Sequence, residues 1–154
     1  MIEAQQLSRI GDAVLGEFGE VASIVANVME PIAGIEHFAR VVFGARGEAL
    51  IIGAHDGALA ALASRMFDKS PIDLRETDWV DSLGELCNML AGKLLIANNS
   101  NISVGIPSYF TAKEQPEIWQ KITIEAEAWK LFGGSPIYFA VVARESSCSP
   151  VSRK

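Results

Sequence analysis

Trp79-Val-Asp-Ser-Leu-Gly-Glu-Leu-Cys-Asn-Met-Leu-Ala-Gly-Lys93 is the stretch around which the chain is organised. At about 100° per residue it sorts onto two faces of a helix. Val80, Leu83, Leu86, Cys87, Leu90 and Leu94 share one face, which reads as core. Asp78, Asp81, Ser82, Glu85, Asn88 and Gly92 share the other, which reads as outward. Glu85 and Asn88 are three residues apart, so their side chains are neighbours on that surface. Gly92 lies a turn further on, where a helix-interior glycine costs about 1 kcal/mol against alanine. A bare spot there lets another surface come close, and Met89 flanks it with an apolar group. A polar strip on a surface helix is ordinarily plain solvation. What raises this one above that reading is the wider string.

Asp81-x-x-x-Glu85-x-x-Asn88, followed by Met89-x-Ala-Gly-Lys and then by Pro107 in a strand-like stretch, resembles the CheX branch of the CheC/CheX chemotaxis phosphatases. The resemblance is strongest from Asp81 to Lys93 and extends as a pattern of elements to most of the chain. The interval from Asn88 to Pro107 is a few residues shorter than that family usually shows. The resemblance implies that Glu85 and Asn88 are the catalytic pair, removing the phosphoryl group from the aspartyl phosphate of a CheY-type response regulator. It implies Asp81, Met89 and Gly92 as the partner-binding rim. No cofactor of the chain's own is implied, since the phosphorylated receiver supplies Mg²⁺. Pairing of two copies through their sheets is implied as well. The competing readings are a receiver-binding module without catalysis and a relative of flagellar switch proteins.

The chain has 154 residues, 49% hydrophobic and 21% charged, which fits one globular domain with a real core. Its net charge of −6 argues against nucleic acid or an anionic membrane as partner. The first ten residues have the charge pattern of no signal peptide, and no run of about 20 apolar residues exists. Cys87 reads as a small buried thiol and Cys148 falls in a Ser-rich tail, so a reducing cytoplasm is expected.

Taken in order, residues 3–29 read as a long helix with Pro31 just past its end. Gly11, Gly16 and Gly19 mark close contact with another helix. Its Leu15-Gly-Glu-Phe echoes Leu83-Gly-Glu-Leu, as a worn internal repeat or by chance; with Glu20 set against Asn88, one reactive face is expected. His37 to Gly44 and Glu48 to Gly53 form a hairpin across Ala45-Arg-Gly. His55-Asp56-Gly57 is a turn, Ala58 to Phe67 a helix, and 71–76 a loop. Thr77 or Asp78 caps the central helix, which ends at Asn98-Asn-Ser-Asn. Ile102 to Pro107 reads as a strand interrupted at an edge or bulge. Tyr109-Phe-Thr continues extended, and Ile122 to Ala128 alternate as a strand wet on one face. Phe132-Gly-Gly-Ser-Pro turns the chain into the strand Ile137 to Ala143. The fold class is α+β: an antiparallel sheet with long helices packed on it, pseudo-repeated, as one domain over residues 1–145 with a flexible tail at 146–154.

No Gly-x-Ser-x-Gly elbow, Walker loop, dinucleotide fingerprint or His-Glu-x-x-His is present. His37 and His55 are the only histidines, too few for a metal site. A catalyst with so little equipment is one that borrows half its site from its substrate.

Overall fold

The computed structural model describes residues 2–23, 34–43, 47–100, 103–114 and 122–143. Among these residues six strands form one antiparallel sheet in the order β1-β5-β6-β3-β2-β4. They are β1 (Val21–Ser23), β2 (His37–Val42), β3 (Ala49–Ala54), β4 (Ser108–Thr111), β5 (Ile124–Phe132) and β6 (Ser135–Val142). The helices are α1 (Ala4–Gly16), α2 (Asp56–Phe67) and α3 (Glu76–Ala97), with a 3₁₀ turn at Pro71–Asp73. Exchanging β1 with β4, β2 with β5 and β3 with β6 turns the strand order into its own reverse. The fold is therefore two α-β-β-β halves related by a pseudo-two-fold, with α2 as the link. α1 packs on β5 and α3 packs on β2, as that symmetry requires.

The two central strands are buried on both faces, β3 throughout and β6 from Ile137 onward, which is why they read as continuous apolar runs. One core lies between sheet and helices and joins Leu7, Val14 and Leu15 of α1 to Leu83, Leu86, Leu90 and Leu94 of α3. On the opposite sheet face Phe38, Phe110, Trp129 and Tyr138 are buried together. The Tyr138 hydroxyl donates to Glu127 Oε1 at 2.7 Å, so this buried phenol is satisfied. Cys87 is buried against the Leu50 carbonyl, and burial pushes its thiol pKa up to about 12. Among the described residues, no helix is long and apolar enough to cross a membrane.

The hairpin of β2 and β3 forms as expected, with His37 opposite Ala54 and Val42 opposite Ala49. β5 and β6 close through Gly133 and Gly134 alone, at φ +62° and +81°. Positive φ at both positions matches the twist of a two-residue hairpin. Phe132 and Ser135, expected in the turn, are the last strand pair.

Several expectations are corrected. The first helix does not run to residue 29: it ends at Gly16, and Val21–Ser23 is an edge strand on β5. Gly16 and Gly19 lower the helix propensity there, Gly16 with nothing within 4 Å of an added Cβ and so no close helix contact, and β-branched Val21 takes the strand. Residues 24–29 and Pro31 lie outside the described residues. Gly11 approaches the sheet and not a helix; a Cβ there would come within 2.9 Å of two Phe139 ring atoms. The Leu15 echo falls at the end of α1, whereas Leu83 is in mid-helix, so the two strings do not occupy equivalent places. Asp56 and Gly57 belong to α2, with His55 as its N-cap. Residues 103–107 are not strand; only Gly105 N–H bonds the sheet, to the Val42 carbonyl at 2.9 Å. Pro107 lacks a ladder donor and immediately precedes β4, the outer strand. The Ala45–Arg46 part of the first turn, Asn101, Ile102, Lys121, Cys148 and the tail at 146–154 lie outside the described residues.

Candidate functional site

α3 begins at Arg75, the N-cap, and not at Thr77 or Asp78. Asp78 serves instead at the third helical position. Its carboxylate accepts the Arg75 N–H at 3.0 Å and pairs with Lys69 Nζ at 2.9 Å. The backbone hydrogen bond, then Lys69, hold its pKa below the ordinary 3.8. This fixes where the helix starts and therefore which residues face outward. At the far end Asn98 donates its amide to the Leu94 carbonyl at 2.7 Å and caps the helix, and Asn99 turns the chain away at φ +55°.

Between these ends the expected inward face is buried at Leu83, Leu86, Cys87, Leu90 and Leu94; Val80 is half-buried. Asp81, Glu85 and Asn88 are exposed, and Met89 and Gly92 are half-buried along the same strip. Ser82 is the exception. It is fully buried, and its hydroxyl donates back to the Trp79 carbonyl at 2.9 Å. A hydroxyl can satisfy itself on its own helix, so serine does not report which way a helical face points.

Asp81 and Glu85 form a ridge between two grooves. The first, about 330 Å³, lies between α3 and the sheet edge and is lined by Val80, Gly84 and Asn88 with Pro107, Ser108 and Tyr109. The second, about 400 Å³, is apolar apart from the ridge itself, being lined by Phe18, Met66, Phe67 and Met89. Gly92 lines neither; a Cβ there would meet nothing within 4 Å. Ile106, the residue before Pro107, is 92% exposed. Among the described residues the Lys–Asp pairs are Lys69–Asp78 and Lys130–Asp12, and neither Asp81 nor Glu85 is in one. Among the described residues, no group of three or more His, Cys, Asp or Glu could hold a metal ion.

Among the described residues, the first half of the fold offers no counterpart. α1 carries neither Glu nor Asn. Shifting it by 76 positions lays its buried Leu7, Gly11, Val14 and Leu15 onto Leu83, Cys87, Leu90 and Ala91. Arg9 and Asp12 then match Glu85 and Asn88, and Asp12 is tied to the buried Lys130. One outward acid–amide pair results.

Sequence reasoning missed Tyr109 and Ser108 on the first groove, and Phe18, Met66 and Phe67 on the second. The groove exists only because a proline-led outer strand is brought beside α3 across the sheet, a relationship with no local signal.

The family model for the chemotaxis phosphatase CheX matches residues 41–121. No curated relative matches the sequence. CheX from Vibrio vulnificus is similar over 90% of this chain and 91% of its own, at 14% identity and a TM-score of 0.56. A chain of the CheX–CheY–BeF3–Mg2+ complex from Borrelia burgdorferi is similar over 94% of this chain and 100% of its own, at 13% identity and a TM-score of 0.59. CheX from Desulfovibrio desulfuricans is similar over 92% and 98%, at 13% identity and a TM-score of 0.59. These structures share the fold. The matched stretch exceeds half the chain and spans α3, both grooves' helical ridge and β4, and on that match the chain belongs to the chemotaxis phosphatase CheX family.

Proposed function

We propose that this chain hydrolyses the aspartyl phosphate of a CheY-type receiver domain, with Asn88 and Glu85 of α3 as the working pair. The observation that carries the reading is the exposure of both side chains, three residues apart, on a rigid helix capped at both ends. Family membership supports a phosphatase, and the Borrelia burgdorferi complex, which unites CheX with CheY, supports the partner.

A receiver brings the phosphorylated Asp, the Mg²⁺ and a Lys beside the phosphoryl group. Water must attack the phosphorus in line, opposite the leaving carboxylate, and little covalent work remains for the catalyst. Asn88 enters the receiver's site. Its amide accepts a hydrogen bond from the attacking water and donates to a phosphoryl oxygen, and stays neutral throughout. A carboxylate at that place would repel the phosphate. Glu85, one turn toward the N-terminus, pairs with the receiver's Lys and sets the register of docking. Asp81, Met89 and Gly92 form the rim, with Asp81 largely solvated. Two copies of the chain pair through outer sheet strands, which light scattering tests.

The deciding experiment is phosphate release from a panel of phosphorylated receivers held in excess. Multiple turnovers are expected from the wild type. Asn88→Ala should lose about 10²- to 10³-fold in rate while retaining binding. Glu85→Ala should weaken binding as well. Unchanged turnover in Asn88→Ala overturns the assignment, and binding without faster release would make the chain a sequestering module.

A further inference from the structure

Three side chains from three elements form a hydrogen-bonded line that ends at the first groove. Asp56, in the first turn of α2, contacts His37 Nε2 at 2.5 Å. His37, the first residue of β2, contacts the Tyr109 hydroxyl through Nδ1 at 2.7 Å. Tyr109, on β4, stands half-exposed in the wall of the groove that also holds Asn88. Trp79 of α3 packs edge-on against the His37 ring, with centroids 5.3 Å apart. The imidazole is therefore held by α2, α3 and β4 at once.

The chemistry of the line fixes its Asp56 end. An Asp carboxylate can only accept, so His37 Nε2 carries a proton. Nδ1 shares a single hydrogen bond with the Tyr109 hydroxyl. The phenol oxygen is thereby held at the groove wall, with hydrogen-bonding capacity left for whatever enters the groove. Burial, with the negative charges of Glu76, Glu114 and Asp56, raises the Tyr109 pKa and keeps the phenol protonated. The CheX motif uses none of these three residues.

We propose that Tyr109 is a recognition residue of the docking face, its hydroxyl hydrogen-bonding a polar group of the receiver, and that His37 and Asp56 are positioning residues that hold it in place. This rests on the phosphatase reading, because it takes the receiver as the occupant of the groove. Tyr109 lies on the strand side of the groove while Asn88 lies on the helix side, so a docked partner is gripped between them. Tyr109 governs how tightly the partner sits, and Asn88 governs what happens to it.

Steady-state turnover separates the two roles. Tyr109→Phe keeps the ring and removes the oxygen; KM for the phosphorylated receiver should rise about three- to tenfold, with kcat within about twofold. Asp56→Asn should raise KM in the wild-type background and add nothing in the Tyr109→Phe background, a dependence that a merely structural role would not produce. An unchanged KM in Tyr109→Phe, or an equal effect of Asp56→Asn in both backgrounds, overturns the proposal. The same variants titrated with a beryllofluoride-loaded receiver give Kd without turnover. Wild type that binds but does not turn over would end the phosphatase reading and still decide the Tyr109 assignment by its Kd. Wild type that does neither ends both.

Discussion

Gly84 and Pro107 face each other across the first groove: a Cβ on Gly84 would stand 3.8 Å from the Cβ of Pro107. That is ordinary contact, so an alanine fits without strain. Gly84→Ala should raise stability by about 1 kcal/mol through helix propensity alone and leave turnover nearly unchanged. Gly84→Leu must send its branches into the groove. It should keep a wild-type circular dichroism spectrum and lower kcat/KM for the receiver. Equal turnover in the leucine variant would show that the partner does not use this groove.

Gly92 poses the same question where nothing stands opposite. An added Cβ meets open space, so the free protein gains helix propensity at no steric cost. Gly92→Ala should be more stable by about 0.5–1 kcal/mol, a Tm increase of a few degrees for a domain of this size. If α3 lies against a partner, the same methyl group intrudes on it, and KM should rise. A higher Tm with an unaltered KM would remove Gly92 from the docking face.

The α3 strip was legible because its signal is local. Helical period, the Glu85–Asn88 interval and the anomalous Gly92 all lie within three turns, and the buried and exposed sides separate as the pattern indicates, Ser82 aside. The strands β2, β3 and β6 were legible for the same reason, and β5 in part, since it runs Ile124–Phe132 where Ile122 to Ala128 was expected. What was not legible depends on chain segments meeting. The first helix stops at Gly16 although its apolar period continues, because Val21–Ser23 finds an outer position on β5 that a helix would forgo. The Asp56–His37–Tyr109 line joins residues 19 and 72 positions apart, and nothing in the sequence links them.

Asp78 gives a pH signature to the start of the site helix. Its folded pKa lies below the ordinary 3.8, so the unfolded chain binds its proton more readily. The stability it contributes is fully present above that ordinary value and is lost as pH falls toward the folded pKa. Asp78→Asn should therefore lower Tm at neutral pH, and the gap from wild type should narrow as the buffer is taken below about pH 4. Thermal melts of both proteins between neutral and about pH 3 give the comparison. A gap that stays constant over this range would mean that the Arg75 N–H and Lys69 contacts do not favour the carboxylate.

Lys130 locks the half of the fold that lacks the acid–amide pair. Its fully buried ammonium donates to Ser8 Oγ at 2.6 Å and Ser23 Oγ at 2.9 Å, and pairs with Asp12 Oδ1 at 2.9 Å. One cation thus ties α1 and β1 to β5. Removing one member of a buried pair costs about 3–5 kcal/mol when the other is stranded. Here Asp12 is 47% exposed and can turn to water, so Lys130→Met strands no buried charge and should cost less, about 1 kcal/mol. Asp12→Asn leaves the buried ammonium without its counter-charge; the amide oxygen can still accept from Nζ, so the cost should fall at the lower end, about 3 kcal/mol. Urea denaturation of both variants measures the difference, and turnover below the unfolding midpoint should stay at the wild-type level because α3 is untouched. A Lys130→Met protein as stable as wild type would mean that the desolvation of the ammonium had already cancelled its three contacts, leaving apolar packing alone to hold α1 in place.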